Sequence, residues 1–431
     1  MEKHITLSAP LKRLSVLDAL RGFALFGVII MHMFQHFGIR DVVSQQEVLR
    51  FPALDEAARW IGDNIIMGRF INIFAFLFGM SFFIQMDRAA KKGIDFRGRF
   101  VWRMIILMVM GLLCHSFYNL EIISVYGFFG ILLIPLYKVK NWVLLVIFSF
   151  FLLGGPRVIS AIQHNSKTAT ELAITGAQTN TEVQGNDFQR PAELPEHIKN
   201  PSFLNAAKHN YEEQLTGKLN YQFGLIGRGY LTFSLFVLGL LLGRNRFFEK
   251  LNEYKKRNLK LLIGFSMVTA IAILIKNTIP PIDFRLLFRP DGQILPNALM
   301  IRLALEDISM VLSSAALTLG FILLYQSARF GKHLEVLAPY GRTGLTNYIM
   351  QGVLGCLIFS AWAFGPIFSG WGTAALFLLG IVIYIAQGII SKYWLNVYLY
   401  GPFEWIWRSL TYLEVQPFRK RTDVEVKKMG L

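Results

Sequence analysis

The feature that most constrains this chain is the recurrence of long apolar stretches. Ten of them approach the ~20 residues a helix needs to cross a bilayer. They lie near 16–37, 62–85, 101–117, 119–137, 141–160, 222–242, 258–278, 297–325, 343–362 and 373–391. A soluble fold would have to leave much of that surface exposed, and large apolar patches are rare on soluble monomers. Composition agrees: 54% of the 431 residues are of hydrophobic types and only 17% carry charge, where a soluble domain has about 25% charged. Soluble multidomain enzymes, disordered chains and disulfide scaffolds are therefore excluded. The sequence predicts an all-α, polytopic bundle of about ten transmembrane helices in the cell (inner) membrane, with the lipid bilayer as its first partner.

Charge sets the expected orientation. The formal net charge is +16, and the apolar stretches make cytoplasmic loops, not nucleic acid, its natural explanation. With the N-terminus in the cytoplasm, alternate segments hold 29 Lys and Arg on that side and 15 on the other. Both termini are then expected in the cytoplasm. The first stretch follows Lys12 and Arg13 as in a signal peptide, but its apolar run is too long and no small-residue cleavage site follows. It reads as a retained helix. The longest break, 161–221, is rich in Asn, Gln, Thr and Glu and contains Pro191, Pro195 and Pro201. It is expected outside the cell membrane, with helical spacing from Phe203 to Leu215. The chain then divides into a five-helix membrane half at 14–160, this loop, and a five-helix half at 222–415. No convincing repeat relates the halves, which disfavours an inverted-repeat transporter. Cys114 and Cys356 sit in apolar runs and read as packing residues.

Ionisable residues inside a bilayer are costly and point to function by default. Here His32, His36, Asp63, Arg69, His115, Glu121, Arg228, Arg302, Glu306 and Asp307 are all expected at one depth, toward the outside. They suggest a shared polar cavity with Arg69, Glu306 and Asp307 as substrate contacts; the competing reading is interfacial snorkelling, which suits Asp63 and Arg228 best. Arg302 and Glu306 stand four apart on one helix, where a local ion pair is expected. His36 follows His32 by one turn, but no third metal ligand is identifiable, so no metal is expected.

Arg21 and His32 carry more information. Eleven residues at ~100° each return to nearly the same helix face, ~16 Å further along the axis. Arg21 falls at the expected cytoplasmic boundary and His32 deep toward the other side. That separation is comparable to an extended pantetheine arm. A guanidinium at the inner end suits CoA phosphates, and an imidazole at the outer end suits general-base work on a hydroxyl or amine. The competing reading is a positive-inside anchor plus a hydrogen-bonded interior histidine. Arg342 opens a helix at 343–362 and offers a second phosphate contact, against anchoring with Thr343 as cap. Trp405, Trp407 and Arg408 read as an interfacial anchor.

Four blocks resemble the YeiB-like bacterial membrane proteins over roughly 14–160 and 222–415. They are Leu17-Asp18-Ala19-Leu20-Arg21-Gly22-Phe23-Ala24; Arg69-Phe70 with Phe74-Ala75-Phe76-Leu77-Phe78-Gly79; His115 with Glu121-Ile122-Ile123 and Tyr126-Gly127; and Gly341-Arg342-Thr343-Gly344-Leu345-Thr346-Asn347-Tyr348 with Gly401-Pro402-Phe403-Glu404-Trp405-Ile406-Trp407-Arg408-Ser409-Leu410. The N-terminal half is also similar to heparan-α-glucosaminide N-acetyltransferase, and the Arg21 to His32 segment to membrane acyltransferases with Arg, ten residues, then His. The resemblance implies acyl transfer across the membrane, from cytoplasmic acetyl-CoA or another acyl-CoA to a sugar or other acceptor. Many YeiB-like members have Asn at the position of His32, and Glu121 stands where they more often have Asp. His115 oriented by Glu121 is thus an alternative base to His32.

The expectation is an integral membrane acyltransferase. His32 or His115 is the base and Glu121 its orienting carboxylate. Arg21, Arg342 or the basic loop 88–103 hold the CoA phosphates, and Arg69 or a helix N-terminus stabilises the oxyanion. The rival is a transporter or exporter of a small polar solute, and a third reading is a sensor or scaffold built on 161–221.

Overall fold

The computed structural model describes residues 15–39, 51–175, 194–281, 287 and 293–420. The two ends expected in the cytoplasm lie largely outside these residues, as does part of the 161–221 break. Within them the protein is all-α, and its principal helices are α1 Ser15–Phe34, α2 Pro52–Ile61, α3 Arg69–Lys91, α4 Arg97–His115, α5 Ile123–Leu136, α6 Asn141–Leu152 and α7 Gly155–Thr175. They continue with α8 Phe203–Phe223, then α9 Arg228–Arg244, α10 Lys255–Thr278, α11 Asn297–Tyr325, α12 Ala338–Arg342, α13 Gly344–Phe359, α14 Thr373–Val397 and α15 Pro402–Tyr412.

Six described helices are long and apolar enough to cross a membrane: α1, the α2–α3 stretch Pro52–Lys91, α4, α10, α11 and α14. Two bent pairs raise the number to eight, α6 with α7 at 49° and α8 with α9 at 53°. The chain is thus a polytopic inner-membrane protein. All ten expected stretches are helical, but α5 and α13 fall short of the expected length. At 14 and 16 residues they reach only ~21 and ~24 Å, less than the ~30 Å hydrocarbon core. The 161–221 break is not a plain loop. Helix α7 carries the chain on to Thr175, and α8 returns through a π turn at Asn210–Gln214.

Helix α1 is the axis of the bundle. Of its most apolar window 78% is buried, against 17% for α10. A helix apolar all round belongs in an interior, whereas one as exposed as α10 suits lipid. Small residues let neighbours come close. A Cβ on Gly79 of α3 would stand 2.0 Å from the Phe236 carbonyl oxygen of α9, and one on Gly239 would stand 2.2 Å from that of Phe76.

The contact that positions the site is between α1 and α12. A Cβ on Gly341 would lie 1.8 Å from the Asp18 carbonyl oxygen, and one on Gly22 would lie 2.4 Å from that of Leu337. Two bare backbones therefore pack directly, and Arg342 is set beside Arg21. The following helix, α13, is held by the C-terminal block. Glu404 accepts hydrogen bonds from the backbone N–H groups of Leu345 (2.7 Å) and Thr346 (3.1 Å) and from the Thr346 hydroxyl (2.5 Å). Glu404, not the expected Thr343, thus caps this helix start, where a negative charge also meets the favourable end of the helix dipole. The Thr343 hydroxyl turns to Ser391 instead, at 3.0 Å.

Gly341→Ala should destabilise the solubilised protein by ~1–3 kcal/mol, the usual cost of overpacking. Gly320→Ala, where an added Cβ meets nothing within 4 Å, should leave thermal unfolding unchanged. Equal melting of the two variants would contradict the close approach.

Candidate functional site

Beside the first turns of α1 lies a cavity of about 300 Å³, lined by α1, α3, α4, α5, α12, α13 and α15. Three guanidinium groups reach it: Arg21 from α1, Arg103 from α4 and Arg342 from α12. Arg21 donates to Asp18 at 2.7 Å and to the Ser81 hydroxyl at 2.6 Å. Arg103 lies over the Trp407 ring, 3.6 Å from its centroid, and the Trp407 Nε1–H donates to the Arg103 carbonyl at 2.8 Å. Trp407 therefore does more than anchor the chain at an interface. Glu404 is the acid on the cavity wall. Burial pushes its carboxyl up from the usual carboxylate range, opposed by the hydrogen bonds from Thr346 and Leu345. Three arginines and one acid, Glu404, line the cavity, and such a lining offers several cationic donors to an anion.

The cavity ends at Ile122, Tyr126 and Tyr348. His32 does not line it. The imidazole is buried one layer further, with the Tyr118 hydroxyl 2.7 Å from its ring nitrogens. Its ring centroid is 5.0 Å from that of Tyr118 and 6.3 Å from that of Tyr348. His32 is thus off the wall of the cavity that Arg21 lines, whereas Tyr348 is on it and accepts the Ile122 N–H at 3.1 Å. His36 packs its ring on Phe359, centroids 4.8 Å apart.

His115 and Glu121 form a second cluster, with different partners from those expected. His115 Nε2–H donates to the Asn210 carbonyl at 3.0 Å, and its buried Nδ1 has no partner. Glu121 is fully buried and pairs with Lys218 and the Ser124 hydroxyl, also accepting the Ser124 N–H at 3.0 Å. The carboxylate thus neutralises a lysine from α8 in place of orienting His115. Sequence reasoning missed Lys218 because it lies 97 residues from its partner, inside a segment read as an external loop. The available signal was Glu121 itself, since a buried carboxylate requires a cation.

Several of the remaining expected groups lie within electrostatic range of one another, Arg69 with Glu306, Arg228 and Asp63, but of these only Arg69 lines either cavity. Asp307 is buried between Arg157 at 2.8 Å and Arg228 at 3.6 Å. Arg157, not expected from the sequence, also donates to the Ile226 carbonyl at 2.6 Å. Arg228 is thus engaged in an interior pair where snorkelling was expected. Arg302 donates to the carbonyls of Lys276 (3.0 Å) and Ile279 at the end of α10, and among the described residues it forms no ion pair with half-buried Glu306. Tertiary carbonyls replace the local i, i+4 partner. Arg69 donates to the carbonyls of Asp63 and Met67, both at 2.8 Å, and borders a separate apolar cavity.

Comparison with known proteins adds kinship but no activity. A family model described as a protein of unknown function (DUF418) matches residues 242–414. It includes α12 to α15 with Arg342 and Glu404, and leaves Arg21, His32, Arg103, His115 and Glu121 outside. The "Uncharacterized protein YxaH" of Bacillus subtilis (strain 168) is 26% identical over 96% of this chain and 98% of its own. An "Uncharacterized 39.9 kDa protein in amylase 3'region" of Bacillus acidopullulyticus is 25% identical over 96% and 98%. "Uncharacterized protein YeiB" of Escherichia coli (strain K12) is 32% identical over 23% of this chain and 24% of its own. The chain is therefore homologous to this uncharacterized DUF418 and YeiB-like group.

Removing a buried cation strands its partner. Lys218→Met should cost ~3–5 kcal/mol of stability, and adding Glu121→Gln should recover most of it, as read by thermal unfolding in detergent. A single variant as stable as wild type would show that the pair is not buried as described.

Proposed function

We propose that this protein is an integral membrane acyltransferase, taking an acyl group, acetyl in the first instance, from cytoplasmic acyl-CoA to an extracytoplasmic sugar or other envelope acceptor. One observation carries the reading. Arg21, Arg103 and Arg342, from three distant segments, line a single cavity beside α1, and its far wall, Tyr348, backs onto the His32–Tyr118 pair. In this reading both termini and the arginine end of the cavity are cytoplasmic. α5 and α13 complete ten spans, and the N-terminal half is the acetyltransferase-like one.

The arginines would hold the CoA phosphates, for which planar, multiply donating cations are well matched. The thioester arm would extend along α1 toward His32, with the Tyr348 side chain rotating aside. Tyr118 holds the imidazole, its hydroxyl 2.7 Å from both ring nitrogens, and one nitrogen acts as base while the hydroxyl engages the other. That nitrogen takes the proton from the acceptor hydroxyl or amine as the oxygen or nitrogen attacks the thioester carbon. The carbon–sulfur bond then breaks, and the imidazolium returns the proton to the departing thiolate. His115 remains the alternative base, because its Nδ1 is unpartnered while Nε2–H is held by Asn210. No metal enters this scheme. The rival is a transporter, for which the closed Asp307 ion pairs offer no open path.

Acetyl-CoA binding to purified protein in nanodiscs should weaken by about tenfold or more in Arg21→Gln and in Arg342→Gln, the loss of one charge-assisted contact. His32→Ala should retain binding and lose transfer to the acceptor. Identical binding in all variants, or CoA-independent solute flux in proteoliposomes, would overturn the reading.

A further inference from the structure

A second cavity, of about 590 Å³, lies on another side of α1, where the α10–α11 hairpin meets the bundle. Its walls are mostly apolar, with Phe23, Leu262, Leu317, Phe321 and Leu324 among them, and one end carries Arg69 and Asn64. From Ser313 to Leu324 the lining of α11 extends ~16 Å along the helix axis, about half of a ~30 Å hydrocarbon core. Gly320 stands on this wall, and a Cβ added there would meet nothing within 4 Å. The space is therefore a long, mainly apolar slot about one leaflet deep, with hydroxyls of Ser266, Thr269 and Ser313 on its walls and Arg69 as its charged group. The hairpin beside it is open to its surroundings, with 17% of the α10 window and 33% of the α11 window buried.

The Arg69 guanidinium stands at the polar end. Two carbonyls hold its Nη1, and Glu306, Asp63 and Arg228 lie within electrostatic range of it. A guanidinium on the wall of an apolar slot is matched by a charged acceptor attached to a hydrocarbon chain. We infer that the slot binds one glycerophospholipid, with an acyl chain along α11 and the headgroup phosphate on Arg69. The assignment does not depend on the acyl-transfer reading, since the slot and the arginine cavity are lined by different residues.

The test is photocrosslinking in nanodiscs doped with a phospholipid bearing a diazirine on its acyl chain, with labelled residues mapped by mass spectrometry. The exposed face of α14, at Leu378, Val382, Ile385 and Ile389, reports random lipid contact in the same sample. Labelling at Leu262, Leu317 and Leu324 should exceed that face several-fold. Gly320→Trp, which fills the slot, and Arg69→Gln should each bring it down to the level of the α14 face without changing α14 itself. Slot labelling no stronger than on α14, or unaffected by both variants, would overturn the site. Equal labelling by a diazirine diacylglycerol, which lacks the phosphate, would overturn the headgroup assignment.

Discussion

The direct packing of Gly341 against the α1 backbone at Asp18 is the contact on which the arginine cavity depends. It leaves no room for a side chain, so α12 and the first turns of α1 behave as one element. Arg342 then stands beside Arg21, α13 starts where Glu404 can cap it, and α15 is drawn in to place Trp407 under Arg103. Four sequence blocks that look unrelated along the chain meet around one pocket for this reason.

Burial of charge follows a consistent logic in the rest of the bundle. Two deep carboxylates meet cations from other segments, Glu121 at Lys218 and Asp307 at Arg157 and Arg228, while Asp18 pairs with Arg21 of its own helix and Asp55 and Glu404 accept backbone N–H groups. Such pairs cost much to break and little to keep, so they read as fixed structure. The arginine cavity differs in that three arginines from distant segments line one void. Several half-buried guanidinium groups around one void are an arrangement that a polyanionic ligand would complete.

Much of this was legible in the sequence, and the failures have physical causes. Apolar length located the helices α1, α3, α4, α10, α11 and α14 that are long enough to cross a membrane or belong to such a stretch, because a bilayer imposes a length on a helix irrespective of its neighbours. Spacing also put Arg21 and His32 on one face of α1, and both Arg21 and Arg342 line the cavity. What the sequence could not show was pairing at a distance. Arg302 and Glu306 have ideal local spacing, yet Arg302 turns to the carbonyls at the end of α10. Glu121 has a histidine close by in sequence, yet its partner comes from α8. Tyr348 and Tyr118 stand in or beside recognisable blocks, but only packing makes the first a wall of the cavity and the second the partner of His32.

The account rests on the arginine cavity as the seat of a CoA-type polyanion, and a density map of the protein in nanodiscs with saturating CoA tests it most directly. The account requires phosphate density within hydrogen-bonding distance of Arg21, Arg103 and Arg342, with the arm directed along α1 toward Tyr348. Phosphate density elsewhere on the protein, or an empty cavity at saturating ligand, would contradict it.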